Sequence, residues 1–157
     1  MTPIPAVHTS FVIERSFAAP SEDVFAAWAE PDTKRQWSDC HPEHDAQFSL
    51  DFREFGRETY RVRHPDQGEQ SVEKVFLDIR PNRRIVFAYE ISLGGKRLSV
   101  SLVTVEFTAG EAGTRMVYTE QIAYLDGHQD LEQRIHGTGE GLDRLRLLVE
   151  AEGKTPQ

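Results

Sequence analysis

The chain has little of several features that would place it in a specialised class of proteins. Its 157 residues include one cysteine, Cys40, so no internal disulfide bond can form, which favours a reducing cytoplasm. Basic residues are fewer than acidic ones, 18 Lys and Arg against 26 Asp and Glu, and the net charge is −8. Nucleic acids and anionic membranes attract clustered positive charge, so neither is expected as the main partner.

Long hydrophobic runs are also missing. The longest unbroken apolar run, Val24 to Ala29, is far shorter than the roughly 20 residues that span a bilayer. Residues 1–10 contain neither a basic segment nor a long apolar segment, so we expect no secretory signal. The length favours one domain over residues 1–157 with a core at about 9–150, and residues 153–157 are expected to fray.

Alternation of apolar and polar residues predicts seven β-strands. Turn sequences such as Pro81-Asn82 and Gly94-Gly95 separate most of them, as in a meander of antiparallel hairpins. The predicted strands cover residues 8–17, 47–52, 58–64, 72–79, 84–93, 98–108 and 115–125.

Three segments show helical patterns. Pro20-Ser21 begins a short helix, and Pro31-Asp32 begins a second that ends near Trp37. A stripe of apolar residues over 129–150 predicts a long C-terminal helix. Three glycines at 137, 139 and 141 interrupt the stripe, so this helix either bends there or approaches another group closely.

The order of these elements predicts an α+β fold. One long helix cannot cover a curved antiparallel sheet of about seven strands, and the two short helices can close only one end of the gap. We therefore expect an apolar internal pocket between the sheet and the C-terminal helix, a common setting for a small-molecule site.

Several short strings lie in a definite order between residues 11 and 149. They are FAAPSEDVF (17–25), DFREFG (51–56), RIVFAYE (84–90), SVSLVTVEF (99–107), LDG (125–127) and HGT (136–138). Their order and spacing resemble the SRPBCC (START/Bet v 1-like) superfamily, in the branch related to the activator of Hsp90 ATPase. Phe55-Gly56 departs from the Gly-Gly that is frequent in this branch, which implies a tighter turn at the pocket mouth.

The resemblance implies a helix-grip fold, in which a curved antiparallel sheet grips the C-terminal helix around a cavity. It implies no single activity, since relatives bind lipids, hormones or polyketides and some catalyse cyclisation or hydrolysis. Three hypotheses follow: a binding protein for a hydrophobic small molecule, a cofactor-independent enzyme of the cyclase or hydratase kind, and a co-chaperone that activates an Hsp90 ATPase.

Glu120 is the strongest candidate for a catalytic residue. Strand alternation places it on the same inward face as Met116, Tyr118 and Ile122, where burial would raise the pKa of a carboxyl group. It would then act as a general acid or base, with Tyr89 assisting. Alternatively, Glu120 pairs with an arginine, caps the last helix or lies at the wet mouth of the pocket.

The predicted pocket requires no cofactor, and its occupant is expected to be a small hydrophobic molecule. An exposed sheet edge also makes a homodimer plausible. The loop Cys40-His41-Pro42-Glu43-His44 contains possible zinc ligands but lacks paired ligand spacing, so no metal is predicted. The predicted lining consists of Trp37, Phe48, Tyr60, Phe87, Tyr89, Ser101, Met116, Tyr118, Glu120, Ile135, Gly139 and Leu142.

Overall fold

The computed structural model describes residues 2–153 and contains seven strands and three helices over that range. Of the segment 153–157 that was expected to fray, residue 153 is the last residue of the final helix, and residues 154–157 lie outside the described residues. The helices are α1 (Ser21–Ala29), α2 (Pro31–Ser38) and α3 (Leu131–Gly153). The strands are β1 (Val7–Phe17), β2 (Gln47–Leu50), β3 (Arg57–His64), β4 (Gly68–Arg80), β5 (Arg84–Leu93), β6 (Lys96–Gly110) and β7 (Gly113–Tyr124).

The strands form one antiparallel sheet in the order β1-β7-β6-β5-β4-β3-β2. Strands β2 to β7 follow one another as hairpins, while β1 pairs with the last strand, from Val7 opposite Tyr124 to Phe17 opposite Thr114. The sheet therefore has β1 and β2 at its two edges. This arrangement confirms the predicted α+β helix-grip fold.

The inner face of the sheet follows the two-residue period of a strand. In β6, Ser99, Ser101, Val103, Val105 and Phe107 are buried, and the residues between them are more exposed. Even-numbered residues from Thr114 to Tyr124 are buried in the same way in β7. Strands β3 and β4 are less completely covered, because most of their residues are only half-buried.

Helix α3 packs its apolar stripe against this inner face. Leu142, Leu145 and Val149 are buried at helical spacing, and an ion pair of 2.9 Å between Arg15 and Asp143 joins the helix to β1. The first turn of the same helix carries a buried arginine, Arg134. No helix within residues 2–153 is long and apolar enough to cross a bilayer.

The turn at Phe55-Gly56 joins β2 to β3. Phe55 adopts a positive φ of 65° and is 75% exposed, a conformation that costs energy for a residue other than glycine. The Phe55 side chain lies outside the cavity lining, and an added Cβ on Gly56 would lie 2.1 Å from the Asp51 carbonyl oxygen, so the turn itself is tight.

Gly113 is required where the β6–β7 hairpin meets the end of β1. Its φ is +143°, and an added Cβ would lie 1.9 Å from the carbonyl oxygen of Phe17. The neighbouring Thr114 hydroxyl donates to the Ala19 carbonyl over 2.7 Å, so the two backbones cannot separate without losing this bond.

We predict that Gly113→Ala lowers the free energy of unfolding by about 2–3 kcal/mol, because the methyl group collides with backbone atoms. Gly110→Ala is the matched control, since its Cβ would lie 3.8 Å from the nearest atom, and it should change stability by less than about 1 kcal/mol. Urea unfolding measures both changes. Equal effects of the two substitutions would contradict the packing described here.

Candidate functional site

A cavity of about 440 Å³ lies between the inner face of the sheet, α2 and α3. Its position matches the gap expected from one helix covering a curved sheet. Its wall is mostly aromatic and aliphatic, with charged groups at specific places. The aromatic and aliphatic lining residues are Trp28, Trp37, Phe48, Tyr60, Val72, Phe87, Tyr89, Ile91, Tyr118 and Leu142.

Aromatic side chains brace one another along this wall. The rings of Trp28 and Trp37 meet edge to face with centroids 4.7 Å apart, and Trp28 stacks on Tyr118 at 6.5 Å. The indole N–H of Trp37 donates to the Ala27 carbonyl over 2.8 Å, which fixes α2 against α1. The wall is therefore held in place by its own contacts before any ligand enters.

Glu120 is fully buried and accepts hydrogen bonds from three hydroxyl groups. The hydroxyl of Tyr118 donates over 2.8 Å and that of Ser101 over 2.7 Å, and Tyr89 makes a third, very short bond. Burial, followed by the charge of Glu120, raises the pKa of Tyr89, so this phenol stays a neutral donor. The carboxylate thus lies behind the tyrosine rings rather than in the cavity wall.

Arg134 completes this network from the first turn of α3. Its guanidinium lies 3.3 Å from Glu120 and 3.3 Å from Asp130, and donates to Ser99 over 2.9 Å. Asp130 also accepts a hydrogen bond of 2.8 Å from Tyr124. The start of the long helix is therefore tied to β6 and β7 by polar groups whose partners are all buried or half-buried.

A second buried network lies elsewhere on the same cavity wall. Lys34 of α2 contacts one oxygen of Glu58 at 2.6 Å, and Lys74 of β4 contacts the other at 3.1 Å. The side chains of Lys34 and Glu58 are only 2% and 3% exposed, and that of Lys74 is 18% exposed. One carboxylate thus pairs with two ammonium groups, and the network carries a surplus positive charge.

Burial shifts the titration of this network. Burial lowers the pKa of Lys34 to about 8, and Glu58 opposes that change only in part. Burial alone would raise the pKa of Glu58, but Lys34 and Lys74 together lower it to about 2. At neutral pH Lys34 and Glu58 are therefore predominantly charged.

The structure brings together seven of the twelve residues predicted from the sequence to line the pocket. Ser101, Met116 and Glu120 lie behind the wall instead, where Met116 is core and the other two are hydrogen-bonded to each other. The seven lining residues are Trp37, Phe48, Tyr60, Phe87, Tyr89, Tyr118 and Leu142.

Two predicted lining residues of α3, Ile135 and Gly139, were placed on the wrong face of the helix. They lie one turn apart and border a separate shallow groove with Val12 and Arg15 of β1. The cavity face of α3 consists of Gln133, Arg134, Gly137, Thr138, Gly141, Leu142 and Arg144. The apolar character of Ile135 suggested an inward position, but the residue is 37% exposed.

The helix glycines have different surroundings. A Cβ on Gly139 would lie 3.3 Å from Arg15, and one on Gly141 would lie 3.6 Å from the Trp37 carbonyl oxygen. A Cβ on Gly137 would meet nothing within 4 Å, although this residue lines the cavity. The expected close approach therefore applies to Gly139 and Gly141, whereas Gly137 leaves space open.

The Lys34–Glu58–Lys74 network was not predicted from the sequence. Two signals could have found it: Glu58 shares its strand face with Tyr60 and Val62, and Lys34 lies one helical turn before Trp37. Both signals were overlooked because lysine and glutamate side chains usually face solvent. Arg134 was missed for the same reason.

The loop after α2 reaches the cavity through Cys40 and His41. The rings of His41 and His44 pack against His64 of β3, with centroids 4.8 Å and 5.5 Å apart. Within residues 2–153 no group of three or more His, Cys, Asp or Glu side chains is arranged to hold a metal ion. The histidines thus form a packed aromatic cluster.

The seven-stranded antiparallel sheet and the long C-terminal helix define a helix-grip fold. The family model for Activator of Hsp90 ATPase homolog 1-like protein matches residues 18–150, and the chain belongs to that family. No curated protein matches the chain.

Solved structures agree with this assignment. An uncharacterised protein from Rhizobium leguminosarum is 46% identical, with a TM-score of 0.87 over 93% of this chain and 97% of that one. Protein Mll3558 from Rhizobium loti is 38% identical, with a TM-score of 0.84 over 90% and 97%. Protein CV1439 from Chromobacterium violaceum, at 19% identity and a TM-score of 0.70 over 90% and 97%, shares the fold.

We predict that Glu58→Gln lowers the free energy of unfolding at pH 7 by about 3–5 kcal/mol, because two buried ammonium groups lose their counter-charge. Glu14→Gln is the matched control: Glu14 pairs with Arg115 at 2.7 Å, but both side chains are more than half exposed. Its loss should stay below about 1 kcal/mol. Urea titrations compare the two variants. Similar losses in unfolding free energy would show that the buried network stabilises the protein no more than an exposed ion pair does.

The acid dependence of stability provides a second test. The pKa of Glu58 is about 2 in the folded protein against 4.5 normally, so the stabilisation is present above pH 4.5 and is lost as pH falls toward 2. The shift corresponds to roughly 3 kcal/mol. The difference in unfolding free energy between the wild-type protein and Glu58→Gln should shrink by about this amount over that pH range. A difference that stays constant would be incompatible with an ionised Glu58.

Proposed function

We propose that this protein binds a compact, largely apolar small molecule in the cavity between the sheet and α3. The observation that carries the proposal is the cavity itself, about 440 Å³ in volume and walled by braced aromatic rings. Ligand pockets commonly have volumes of about 300–1,000 Å³. An apolar cavity of about 150 Å³ is sufficient for benzene, so this one has room for two or three rings.

The chemistry of the wall supports an aromatic ligand. The ring of Tyr89 lies 6.1 Å from that of Phe87, and both face the cavity together with Trp28 and Trp37. Stacked and edge-to-face aromatic pairs contribute about 0.5–1.5 kcal/mol beyond the burial of their area. A flat aromatic molecule would gain several such contacts without rearranging the wall.

An enzymatic function through Glu120 and Tyr89 has less support. Glu120 is fully buried behind the tyrosines and already accepts bonds from Tyr89, Tyr118 and Ser101. Proton transfer to a bound ligand requires hydrogen-bond reach, directly or through one water molecule. The binding role requires no such movement.

A co-chaperone role is the other hypothesis, and it comes from the description of the family. It predicts that the protein raises the ATPase rate of an Hsp90, which a steady-state ATPase assay measures. The cavity has no part in that prediction, so the two hypotheses can be tested independently.

We predict that Gly137→Leu weakens ligand binding at least about tenfold while the protein remains folded. The leucine side chain enters the open space beside Gly137, and replacing a helix glycine favours the helix by up to about 1 kcal/mol. The probe is the neutral bicyclic compound 2-naphthamide, titrated by calorimetry. Both tryptophans of the chain line the cavity, so their fluorescence should report the same event.

His136→Leu is the control, because this neighbouring side chain is 77% exposed. Wild type and His136→Leu should bind one equivalent of 2-naphthamide, and Gly137→Leu should bind at least about tenfold more weakly. Absence of binding to the wild-type protein, or equal binding by all three proteins, would refute a cavity function for this class of probe. Native mass spectrometry of the purified protein would then identify any compound that it carries.

A further inference from the structure

We propose that the cavity selects aromatic carboxylates, with the carboxylate bound by Lys34 and Lys74 and the ring held by the surrounding aromatic side chains. This inference rests on the proposed function and names the class of ligand. It starts from the unequal charge of the Lys34–Glu58–Lys74 network, in which two cations share one anion.

The two ammonium groups have hydrogen-bonding capacity to spare. An ammonium carries three N–H donors, and within residues 2–153 each of these two contacts a single oxygen of Glu58. Both lysines line the cavity. A second carboxylate there would accept charge-assisted hydrogen bonds and would balance the network at two positive and two negative charges.

The rings around the lysines keep the positive charge in place while the cavity is empty. The Lys34 ammonium lies 5.5 Å and 5.3 Å from the rings of Trp28 and Trp37, and the Lys74 ammonium lies 5.0 Å from Phe87. Such contacts favour a cation but satisfy none of its N–H groups. The same rings would flank the aromatic body of a ligand whose carboxylate reaches the lysines.

An independent observation also points to a ligand acceptor. Trp28 is 3% exposed and lines the cavity, and among the described residues its indole nitrogen has no hydrogen-bond partner. A buried donor without a partner costs about 1–3 kcal/mol. Trp28 thus adds a further donor to those of the two lysines, and donors are what a carboxylate requires.

The acidic groups of the same cavity do not cancel this preference. Glu120 accepts hydrogen bonds from Tyr89, Tyr118 and Ser101 and is fully buried. Asp130 accepts hydrogen bonds from Tyr124 and Arg134. The oxygens of both carboxylates are thus occupied by donors of the Arg134 network, whereas the ammonium groups of the lysine network keep unused donors.

The test compares 2-naphthoate with 2-naphthamide, which has the same ring system without the charge. Calorimetry of the wild-type protein at pH 7 should show naphthoate binding at least about tenfold more tightly than naphthamide. Lys74→Met should bring the ratio of naphthoate affinity to naphthamide affinity close to one, because the remaining Lys34–Glu58 pair has no surplus positive charge. Lys96→Met, at an exposed lysine that begins β6, is the matched control and should keep the preference.

The outcomes separate the two proposals. Equal binding of both compounds to the wild-type protein, or equal loss of preference in Lys74→Met and Lys96→Met, would overturn the carboxylate assignment and leave the cavity function standing. Failure of both compounds to bind would overturn both proposals. Tighter binding of 2-naphthyl phosphate than of naphthoate would assign the lysines to a phosphate monoester instead and contradict the inference.

Discussion

The cavity depends on the hydrogen bonds that the buried Glu120 carboxylate accepts. The carboxylate draws together the hydroxyl groups of Tyr89 on β5, Ser101 on β6 and Tyr118 on β7, and the guanidinium of Arg134 on α3. Each bond holds a side chain back against the sheet or fixes the start of the helix. The tyrosine rings are thereby kept as a wall, and the space in front of them stays open, because the rings cannot turn inward without leaving a buried charge unpaired.

The two buried carboxylates of the cavity region serve different purposes. Glu120 accepts hydrogen bonds from more donors than it has oxygens, and it does not line the cavity. Its network is therefore structural. Glu58 has two lysine partners that line the cavity and retain unused donors. A buried ion pair with a surplus charge costs stability in the empty protein, and a ligand of opposite charge would recover that cost. The presence of unused donors therefore separates the part that would recognise an occupant from the part that builds the cavity.

Much of the fold could be predicted from the sequence because it depends on local patterns. The two-residue period gave all seven strands, and β5 was predicted at its observed bounds, Arg84–Leu93. The inward positions of Ser99, Ser101 and Glu120 followed from the same period. The site was harder to predict from the sequence. The face of α3 that meets the cavity depends on how the helix is rotated against β1, as Ile135 and Gly139 show. The network of Lys34 and Glu58 joins residues 24 positions apart on different elements, and no local pattern reports such a contact.

A crystal structure of the protein with 6-bromo-2-naphthoate would test the central claim most directly, since anomalous scattering from bromine locates the ring without bias from a model. We expect one bromine peak inside the cavity, among Trp28, Trp37 and Tyr89. We also expect the carboxylate within hydrogen-bond distance of Lys34 or Lys74. A cavity filled by its own side chains would contradict it, as would bromine found only in the shallow groove beside Ile135 or elsewhere on the surface.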